Sequence, residues 1–421
     1  MTRDRVAVIG SGVSGLSAAY LLQRRYDVTL FEAAERLGGH AHTHELPTAD
    51  ASSIAVDSAF LVHNDRTYPN LLRLFDELGI ETQPTRMSLS VYCEQCRLQY
   101  AGARGLSGLF AQRRNVGHGR YLRMLGQIPR FHRQARQLLA ADSTTEDLTF
   151  GDFLRAGGYS NYFVEHFALP LVSAVWSAER ELCKNYPARY LFEFLDRHGQ
   201  LSIRNTLTWR TIVGGSREYV ARVAKQLHVV RTGVPVTEVR RLANGVSVRT
   251  ATGESAQFSR AVVATHADTA LGLLAEPSPE QRTVLGAFGY SNNVTWLHTD
   301  SSLLPSLPAA RGAWNYLKPA CAAGPDRVLV SYHLNRLMRL AEPRDYIVTL
   351  GATDRVQPDQ VLVRMVYRHP IYTRQSVRAQ RRLWELGDER LQFAGAYHGW
   401  GFHEDGCVSG VRAATALGSG W

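Results

Sequence analysis

A glycine-rich turn near the start of the chain constrains its fold more than any other feature. Val6–Ile9 is a short apolar, β-branched run, typical of a buried parallel strand. The turn Gly10-Ser-Gly-Val-Ser-Gly15 follows, and Leu16–Arg25 then has the pattern of a helix. Val28–Phe31 is a second apolar strand, closed by Glu32. These residues predict a complete βαβ unit.

The three glycines of this turn have the spacing of a dinucleotide-binding motif, G-x-G-x-x-G. The first glycine permits the tight turn, the second lets backbone approach a pyrophosphate, and the third lets helix and strand pack closely. Free N–H groups at the helix start attract phosphate charge. Glu32 can accept hydrogen bonds from ribose hydroxyls. The residues expected at the cofactor are Gly10, Ser11, Gly12, Val13, Ser14, Gly15, Glu32 and Ala33.

The segment after Glu32 distinguishes FAD from NAD. Arg36-Leu-Gly-Gly39-His40-Ala-His-Thr43 places two adjacent glycines beside an arginine, which suits another close approach to phosphate. It resembles the Arg-x-Gly-Gly segment of the flavin amine oxidase and phytoene desaturase superfamily. The resemblance implies FAD as cofactor, bound in part by Arg36, Gly38, Gly39, His40 and Thr43.

The resemblance continues along the chain. Val234-Pro-Val236 is similar to the segment whose backbone holds the adenine, and Ala264-Thr-His-Ala-Asp268 to the strand end that closes the FAD domain. Phe393-Ala-Gly395 and Gly401-Phe-His-Glu-Asp-Gly406 resemble the segment under the flavin ring, where a helix start faces the flavin N1/O2 edge. This implies further cofactor contacts at Val236, Ala264, Gly395, His403, Glu404 and Asp405.

A bacterial subfamily of FAD-dependent amine-oxidase-like proteins is the more specific resemblance. It rests on Arg36–Thr43, on Val56-Asp57 with Arg66–Asn70, on Trp209-Arg210 with Gly214–Tyr219, and on Gly401–Gly406. Some relatives of this subfamily are linked to enzymes that modify fatty-acyl chains. Two features depart from typical amine oxidases: the flavin-side lysine has only Lys318 as a candidate, and Ala396 replaces a common acid.

The fold class expected from these patterns is α/β, with a Rossmann-like FAD domain interleaved with an α+β substrate domain. The resemblance implies the two-domain fold of the amine oxidases. The predicted FAD domain comprises residues 1–85, 205–275 and 388–421. The predicted substrate domain comprises residues 86–204 and 276–387.

Aromatic residues cluster before the C-terminal helix, which is predicted to begin at about Val408. In the related folds this segment faces flavin and substrate, so Tyr397, Trp400 and His403 are the candidate catalytic or substrate-clamping residues. The alternative is ordinary core packing.

No metal site is expected from the sequence. Cys93-x-x-Cys96 lies in a predicted hairpin turn, but zinc needs more ligands and no second cysteine pair exists. His40, His42 and His44 alternate, yet no carboxylate partners are evident beside them. A chance cysteine pair and hydrogen-bonded histidines are the favoured interpretations.

The net charge of +10 favours acidic partners, such as a phosphate cofactor, an anionic substrate or an anionic membrane surface. Nucleic acid is not expected, because no nucleic-acid-binding module is evident. Residues 95–141 contain no Asp or Glu and carry an apolar stripe at helical spacing, interrupted by Pro129, which is expected to kink or divide the helix. This pattern fits either a solvated helix face or docking on an anionic membrane with the stripe lowered into the interface.

The leading functional hypothesis is an FAD-dependent oxidase or desaturase that removes a hydride from a C–H bond of an apolar substrate, with an acyl chain as the specific expectation. Amine oxidation is the first alternative, and a non-redox isomerase or mutase the second. The electron acceptor is expected to be oxygen, a quinone or a protein, because no second dinucleotide motif follows a strand. With no leader-like or membrane-spanning stretch evident, a cytoplasmic location is expected, with contact at the inner membrane face.

Overall fold

The computed structural model describes residues 3–48, 52–141, 148–202, 207–321, 328–351 and 354–421. Its strands are β1 Arg5–Ile9, β2 Asp27–Phe31, β3 Thr43–Pro47, β4 Ser53–Asp57, β5 His63–Asn64, β6 Thr82–Pro84, β7 Leu89–Cys93, β8 Gln99–Ala101, β9 Trp209–Ile212, β10 Val229–Arg231, β11 Val236–Leu242, β12 Gly245–Thr250, β13 Ser255–Phe258, β14 Arg260–Val263, β15 Gly289–His298, β16 Trp314–Lys318, β17 Val330–His333, β18 Ile347–Leu350, β19 Val361–Ile371 and β20 Leu391–Phe393.

The α-helices of the same residues are α1 Val13–Leu22, α2 Pro69–Glu77, α3 Gly105–Leu109, α4 Gly119–Ala140, α5 Phe150–Ala156, α6 Asn161–Phe163, α7 Leu169–Trp176, α8 Arg180–Asn185, α9 Ala188–Arg197, α10 Arg217–Ala224, α11 Ala267–Leu273, α12 Pro279–Leu285, α13 Leu334–Leu337, α14 Arg374–Gln380 and α15 His403–Ala416. A short π-helix, Val164–Ala168, joins α6 to α7.

The chain divides into two compact units, each assembled from separate segments. The first unit comprises Met1–Gln83, Ile212–Gly289 and Gln375–Trp421, and the second comprises Pro84–Thr211 and Tyr290–Arg374. Helices and both parallel and antiparallel sheets are present, which confirms the predicted α/β class.

A five-stranded parallel sheet is the centre of the first unit. Its order is β10-β2-β1-β14-β20, and β1 pairs with β2 on one side and β14 on the other. The apolar run Val6–Ile9 is buried because β1 has neighbours on both edges and a helix against its face. Every residue of α1 is buried as well. The predicted βαβ unit is therefore present, with its strands at the expected residues.

Helix α15 packs against α1 through small residues. A Cβ built on Gly410 would lie 2.2 Å from the backbone oxygen of Ser14, and one on Gly406 would lie 2.6 Å from a Val13 methyl. No real Cβ contact is this short, so glycine at both positions is what lets the two helices approach. The last helix of the chain thus covers the helix that follows the glycine-rich turn.

Helix α15 begins at His403, earlier than the predicted start near Val408. The Asp405 carboxylate accepts a hydrogen bond from the Phe402 N–H, 2.9 Å, and so satisfies one free donor at the helix start. Glu404 and Asp405 also place negative charge in the first turn, where the helix dipole favours it. The glycines of this segment concealed the early start, because they weaken the helical pattern.

Helix α2 is capped by a residue far away in sequence. The Glu404 carboxylate accepts hydrogen bonds from the backbone N–H of Asn70, 2.9 Å, from that of Leu71, 3.0 Å, and from the Asn70 side chain, 2.8 Å. These backbone groups lie in the first turn of α2, where no intrahelical acceptor exists. Burial raises the pKa of Glu404 and the hydrogen bonds from Asn70 and Leu71 oppose that rise.

The second unit contains a seven-stranded mixed sheet, in the order β19-β15-β18-β17-β16-β7-β8. Helix α4 runs unbroken from Gly119 to Ala140 with Pro129 inside it, so the proline does not divide the helix. Its apolar stripe packs against the core of the unit, where Phe131 meets the rings of Phe150, Phe153 and Phe192. Most of the stripe that could have entered a membrane interface is therefore in contact with protein, although Leu125, Ile128 and Leu138 are only half-buried.

The close approach of α1 and α15 predicts the effect of two alanine substitutions. Gly410→Ala should lower the free energy of unfolding by about 1–3 kcal/mol, because its methyl group meets the Ser14 backbone. Gly272→Ala, in α11 of the same unit, has open space around the new methyl group and should raise stability by about 0.4–1 kcal/mol. Chemical unfolding followed by circular dichroism measures both. Equal stability of the two variants would contradict the packing described.

Candidate cofactor-binding site

The three glycines of the first turn have three different surroundings. A Cβ on Gly15 would lie 1.9 Å from the Gly10 oxygen, and one on Gly10 would lie 2.6 Å from the Ala264 oxygen. Gly10 also has a φ of +100°, a value that side chains disfavour. A Cβ on Gly12 would meet no protein atom within 4 Å. Gly10 and Gly15 are thus required by the fold itself, whereas the space at Gly12 remains for a ligand.

The second glycine pair lies directly against this turn. A Cβ on Gly39 would be 3.1 Å from the Gly12 Cα, and Gly39 has a φ of +56°. The Gly38 N–H donates to the Ser11 hydroxyl oxygen, 3.1 Å. The exposed Arg36 folds back to donate to the Gly39 oxygen, 2.8 Å. Two glycine segments that are separate in the sequence therefore form one backbone-lined cradle.

Glu32 stands at the end of β2, beside this cradle. One carboxylate oxygen accepts from the Ser11 N–H, 2.9 Å, and the Ser11 hydroxyl, 2.6 Å, and the other accepts from the Ala34 N–H, 2.9 Å. A carboxylate has about four acceptor positions, so these contacts leave room for one more donor. Glu32 thus fixes the turn and keeps capacity for a ligand hydroxyl. Ala33, the next residue, is exposed.

The segments that precede β11 and follow β14 meet the same end of the sheet. The Val234 N–H donates to the Glu32 oxygen and the Gly233 N–H to the Ala34 oxygen, each at 2.9 Å, which carries the chain past the end of β2 toward Val236. The Ala264 N–H donates to the Ile9 oxygen, 2.8 Å, and so sets Ala264 beside the glycine turn.

These residues fit a dinucleotide. The N-cap residue of α1 is Gly12, which supplies no capping side chain, and the first turn holds no acidic residue. The first-turn N–H groups and the dipole of a helix favour a phosphate at such an end. The open space at Gly12 lies at that helix start, where a pyrophosphate can approach the backbone.

Thr43 belongs to a junction that sequence reasoning did not identify. Its hydroxyl donates to the buried Asp57 carboxylate, 2.5 Å, and accepts from the Arg217 N–H, 2.9 Å. Asp57 also accepts from the Ser216 N–H, 2.9 Å, and the Ser216 hydroxyl, 2.8 Å. Burial raises the pKa of Asp57 to about 6, although these hydrogen bonds oppose the rise. The junction fixes the start of α10, and in the sequence its parts stand only as the separate marks Val56-Asp57 and Gly214–Tyr219 of the subfamily.

His42 and His44, on either side of Thr43, are uncharged at neutral pH. The rings of His42 and His44 lie 4.0 Å apart, and His44 Nε2 hydrogen-bonds the Ser58 hydroxyl at 2.8 Å. Burial lowers the pKa of His42 to about 3 and that of His44 to about 4. The ring of His40 lies 6.5 Å from that of His266, beyond the end of β14.

His403, the first residue of α15, is buried in an aromatic environment. Its ring stacks on Phe60 with 3.6 Å between centroids, and its Nε2 lies 3.3 Å from the Tyr219 hydroxyl. Burial, followed by the nearby His63, lowers the pKa of His403 to about 3. The imidazole is therefore neutral at physiological pH.

The other residues predicted at the flavin edge have defined partners within the first unit. The Gly395 N–H donates to the Ser409 hydroxyl, 2.9 Å, which joins the end of β20 to α15. Tyr397 is buried with its ring 5.3 Å from that of Phe288, whereas Trp400 is half-buried. Glu404 is engaged with α2 and Asp405 with Phe402, as described above. Contact of these residues with a cofactor or substrate stays a prediction.

Lys318, the candidate for a flavin-side lysine, lies in the second unit. Its ammonium group donates to the Glu165 carboxylate, 2.7 Å, and both side chains are buried. Arg180 binds the same carboxylate at 2.6 Å. Hydrogen bonds and charge from Arg180 and Lys318 hold the pKa of Glu165 below its usual value, although burial opposes this. Lys318 is therefore part of a buried ion pair.

Known proteins are similar to this chain in sequence and in fold. The chain is 42% identical over 78 residues to amine oxidase [flavin-containing] A of Canis lupus familiaris, an alignment that spans 18% of this chain and 14% of that protein. The solved structure of a putrescine oxidase triple mutant has a TM-score of 0.71 at 15% identity, over 99% of this chain and 98% of that one. A fatty acid isomerase from P. acnes has a TM-score of 0.64 at 15% identity, over 97% of each chain.

At such identities the two solved structures establish a shared fold. The sequence profile of flavin containing amine oxidoreductases matches residues 13–418, which is nearly the whole chain. The chain therefore belongs to the flavin containing amine oxidoreductase family, whose members are FAD-dependent oxidoreductases, and FAD is its cofactor.

Proposed function

We propose that this protein is an FAD-dependent oxidase or desaturase that removes a hydride from a C–H bond of an apolar substrate, with an acyl chain as the substrate class. The observation that carries the flavin part of this proposal is the cradle in which Gly10 and Gly15 have no room for a side chain and Gly12 has open space. The second glycine segment lies directly beside this space, with a Cβ on Gly39 only 3.1 Å from the Gly12 Cα, which an isolated tight turn does not provide.

The N-terminal residues would hold FAD from several sides. Backbone N–H groups at the start of α1 would bind the pyrophosphate, with Ser11, Val13 and Ser14 forming the turn around it. Glu32 would accept from a ribose hydroxyl with its remaining acceptor position. The exposed Arg36 would add positive charge, and Val236 and Ala264 would border the adenine and pyrophosphate from the adjoining strands.

Bound FAD supplies the hydride acceptor, and the chain supplies binding, orientation and exclusion of water. Within the aromatic segment, His403 is better suited to positioning than to proton transfer, because a base with a pKa of about 3 is weak at neutral pH. Its stacking on Phe60 and its contact with Tyr219 would fix the start of α15. Tyr397 and Trp400 remain the proposed substrate-facing rings.

The buried carboxylates of the second unit favour an apolar substrate over an amine. An amine substrate is a cation, and a buried carboxylate is its natural partner. The two buried carboxylates described in this unit, Glu165 and Asp300, are already engaged. Glu165 is bound by Lys318 and Arg180, and Asp300 accepts from the Ser302 N–H, 2.9 Å, and the Gln357 N–H, 3.0 Å. A fatty acid isomerase shares this fold, which supports an acyl chain as the proposed substrate class.

An oxidase of this family passes its electrons to an acceptor, and oxygen, a quinone or a protein is proposed here. A small-molecule substrate and such an acceptor are the expected partners. A non-redox isomerase or mutase remains the alternative that consumes no acceptor.

Contact with an anionic membrane is proposed for residues 104–123 rather than for the apolar stripe of α4. Large apolar side chains are exposed at Leu106, Val116 and Leu122. The exposed arginines Arg113, Arg120 and Arg123 lie in the same stretch. The Tyr121 hydroxyl donates to the Leu109 oxygen, 2.7 Å, and holds α3 near the start of α4. Among the described helices, none is both long and apolar enough to cross a bilayer.

A pair of alanine variants tests the cofactor site. Gly12 has φ −63° and ψ 175°, which alanine adopts without strain, so Gly12→Ala should fold normally. Its methyl group would occupy the ligand space and weaken FAD binding by at least about tenfold, equivalent to about 1.4 kcal/mol. Gly15→Ala, which meets the Gly10 backbone, should instead destabilise the fold. Flavin absorbance per chain and circular dichroism separate the two effects. Unchanged FAD affinity in Gly12→Ala would refute the site.

Anaerobic reduction of the bound flavin tests the substrate class. A long-chain fatty acid or its thioester should bleach the oxidised-flavin absorbance, whereas putrescine and cyclohexylamine should not. Bleaching by the amines alone would replace the acyl proposal with amine oxidation. Conversion of a fatty acid to a double-bond isomer with no net consumption of an acceptor would show the isomerase alternative.

Vesicle sedimentation tests the membrane contact. Binding should require anionic lipid and weaken with salt, because each arginine near the surface contributes about 1 kcal/mol that is screened within a Debye length. Changing Arg113, Arg114, Arg120 and Arg123 to Gln should abolish it. The same change at four exposed arginines of the first unit, Arg24, Arg25, Arg249 and Arg282, lowers the net charge equally and should preserve it. Equal loss in both variants would make the binding nonspecific.

A further inference from the structure

Four potential metal ligands meet in the second unit, far from one another in the sequence. Cys93 ends β7, Cys96 lies in the turn before β8, His166 lies on the π-helix, and Cys321 follows β16. Their ligand atoms all lie within 4.8 Å of one another. Among the described residues, this is the group of three or more metal-ligating side chains that could hold an ion. The sequence showed only the first pair, because the other two ligands come from long-range contacts.

The spacing of these atoms matches a tetrahedral zinc site. Cys93 Sγ lies 3.7 Å from Cys321 Sγ, and Cys96 Sγ lies 3.7 Å from His166 Nε2. Zn–S bonds of about 2.3 Å and a Zn–N bond of about 2.0 Å, at tetrahedral angles, place two sulfurs about 3.8 Å apart and a sulfur and a nitrogen about 3.5 Å apart. A disulfide requires sulfurs at about 2.05 Å, so the arrangement suits a shared ion rather than a bond.

His166 is oriented as a metal ligand would be. Its Nδ1 lies 3.1 Å from the backbone carbonyl oxygen of Tyr162. An Nδ1–H that donates to this carbonyl leaves the Nε2 lone pair directed at the cysteines. The Tyr162 ring stacks on the imidazole with 4.1 Å between centroids, and the Tyr100 hydroxyl donates to the His166 oxygen at 2.7 Å. A backbone carbonyl on the second ring nitrogen is the usual device that fixes the tautomer of a zinc-binding histidine.

The segments that carry the cysteines are fixed to each other by backbone contacts. Cys93 pairs with Lys318 between the parallel strands β7 and β16, and the Glu94 N–H donates to the Lys318 oxygen, 2.8 Å. The Cys321 N–H donates to the Gln95 side chain in the turn between Cys93 and Cys96, 2.7 Å. The ligands are therefore held in place by the fold, as a preformed site requires.

We propose that Cys93, Cys96, His166 and Cys321 bind one structural zinc ion. Four protein ligands complete a tetrahedral shell and leave no position for substrate or water, which is the mark of a structural rather than a catalytic site. The ion would join the β7–β8 hairpin, the π-helix and the end of β16. All four ligands belong to the second unit, and the proposal does not depend on the proposed substrate.

Metal analysis of the FAD-loaded protein tests the proposal. Tag-free protein, purified with reductant and without added metal, should contain about one zinc per chain with three sulfur neighbours and one nitrogen neighbour by X-ray absorption. Protein from cobalt-supplemented cells should show the visible bands of tetrahedral cobalt–thiolate. These measurements need no variant, so they stand even if a ligand substitution prevents folding. Wild-type protein that takes up no stoichiometric zinc or cobalt would overturn the proposal, and so would a disulfide among Cys93, Cys96 and Cys321.

Two ligand variants and a matched control locate the metal. Cys96→Ser and His166→Gln should lose the zinc and lower the melting temperature by at least about 5 °C. Cys183→Ser should keep both, since Cys183 is a buried cysteine outside the cluster that donates to the Ala178 oxygen, a bond serine can retain. Flavin absorbance of the same samples should stay at the wild-type level. Zinc retained by both ligand variants, or lost equally from Cys183→Ser, would show that the ion binds elsewhere.

Discussion

The close contact between the backbone of the glycine turn and α1 is the constraint on which the first unit depends. Gly15 leaves no space between α1 and Gly10, so the helix starts directly at the end of the central strand. That placement brings Ser11 to the Glu32 carboxylate and Gly12 to Gly39. The parallel sheet, the cradle and the orientation of the helix dipole all follow from one pair of residues without side chains.

The sequence predicted those parts of the molecule in which partners lie close together in the chain. The turn, the strand before it and Glu32 fall within one βαβ unit, so spacing alone reports their geometry. The capping of α2 by Glu404 and the meeting of Cys93 with His166 involve residues separated by long stretches. Local periodicity carries no information about such pairs. The start of α15 was misplaced for a local reason, because the glycines near it weaken the helical pattern.

Helix α4 is a second example of what a local sequence pattern cannot predict. Its amphipathic pattern correctly predicted a helix with one apolar face, but a pattern cannot say what covers that face. In the fold, Phe131 and its aromatic neighbours enclose it within the second unit. The arginines of the opposite face remain exposed. Of the apolar residues that stay uncovered, Leu106 and Val116 belong to the preceding segment and Leu122 to the first turn of the helix.

The packing of α15 on α1 has a consequence for the order in which the protein is made. A ribosome delivers the glycine turn long before residues 403–416, and in between α1 lacks its covering helix and α2 lacks the Glu404 carboxylate. The parallel sheet also lacks its edge strand until β20 has been synthesised. The first unit therefore cannot finish folding before residues 403–416 have been synthesised, and until then nascent chains must keep an apolar helix protected.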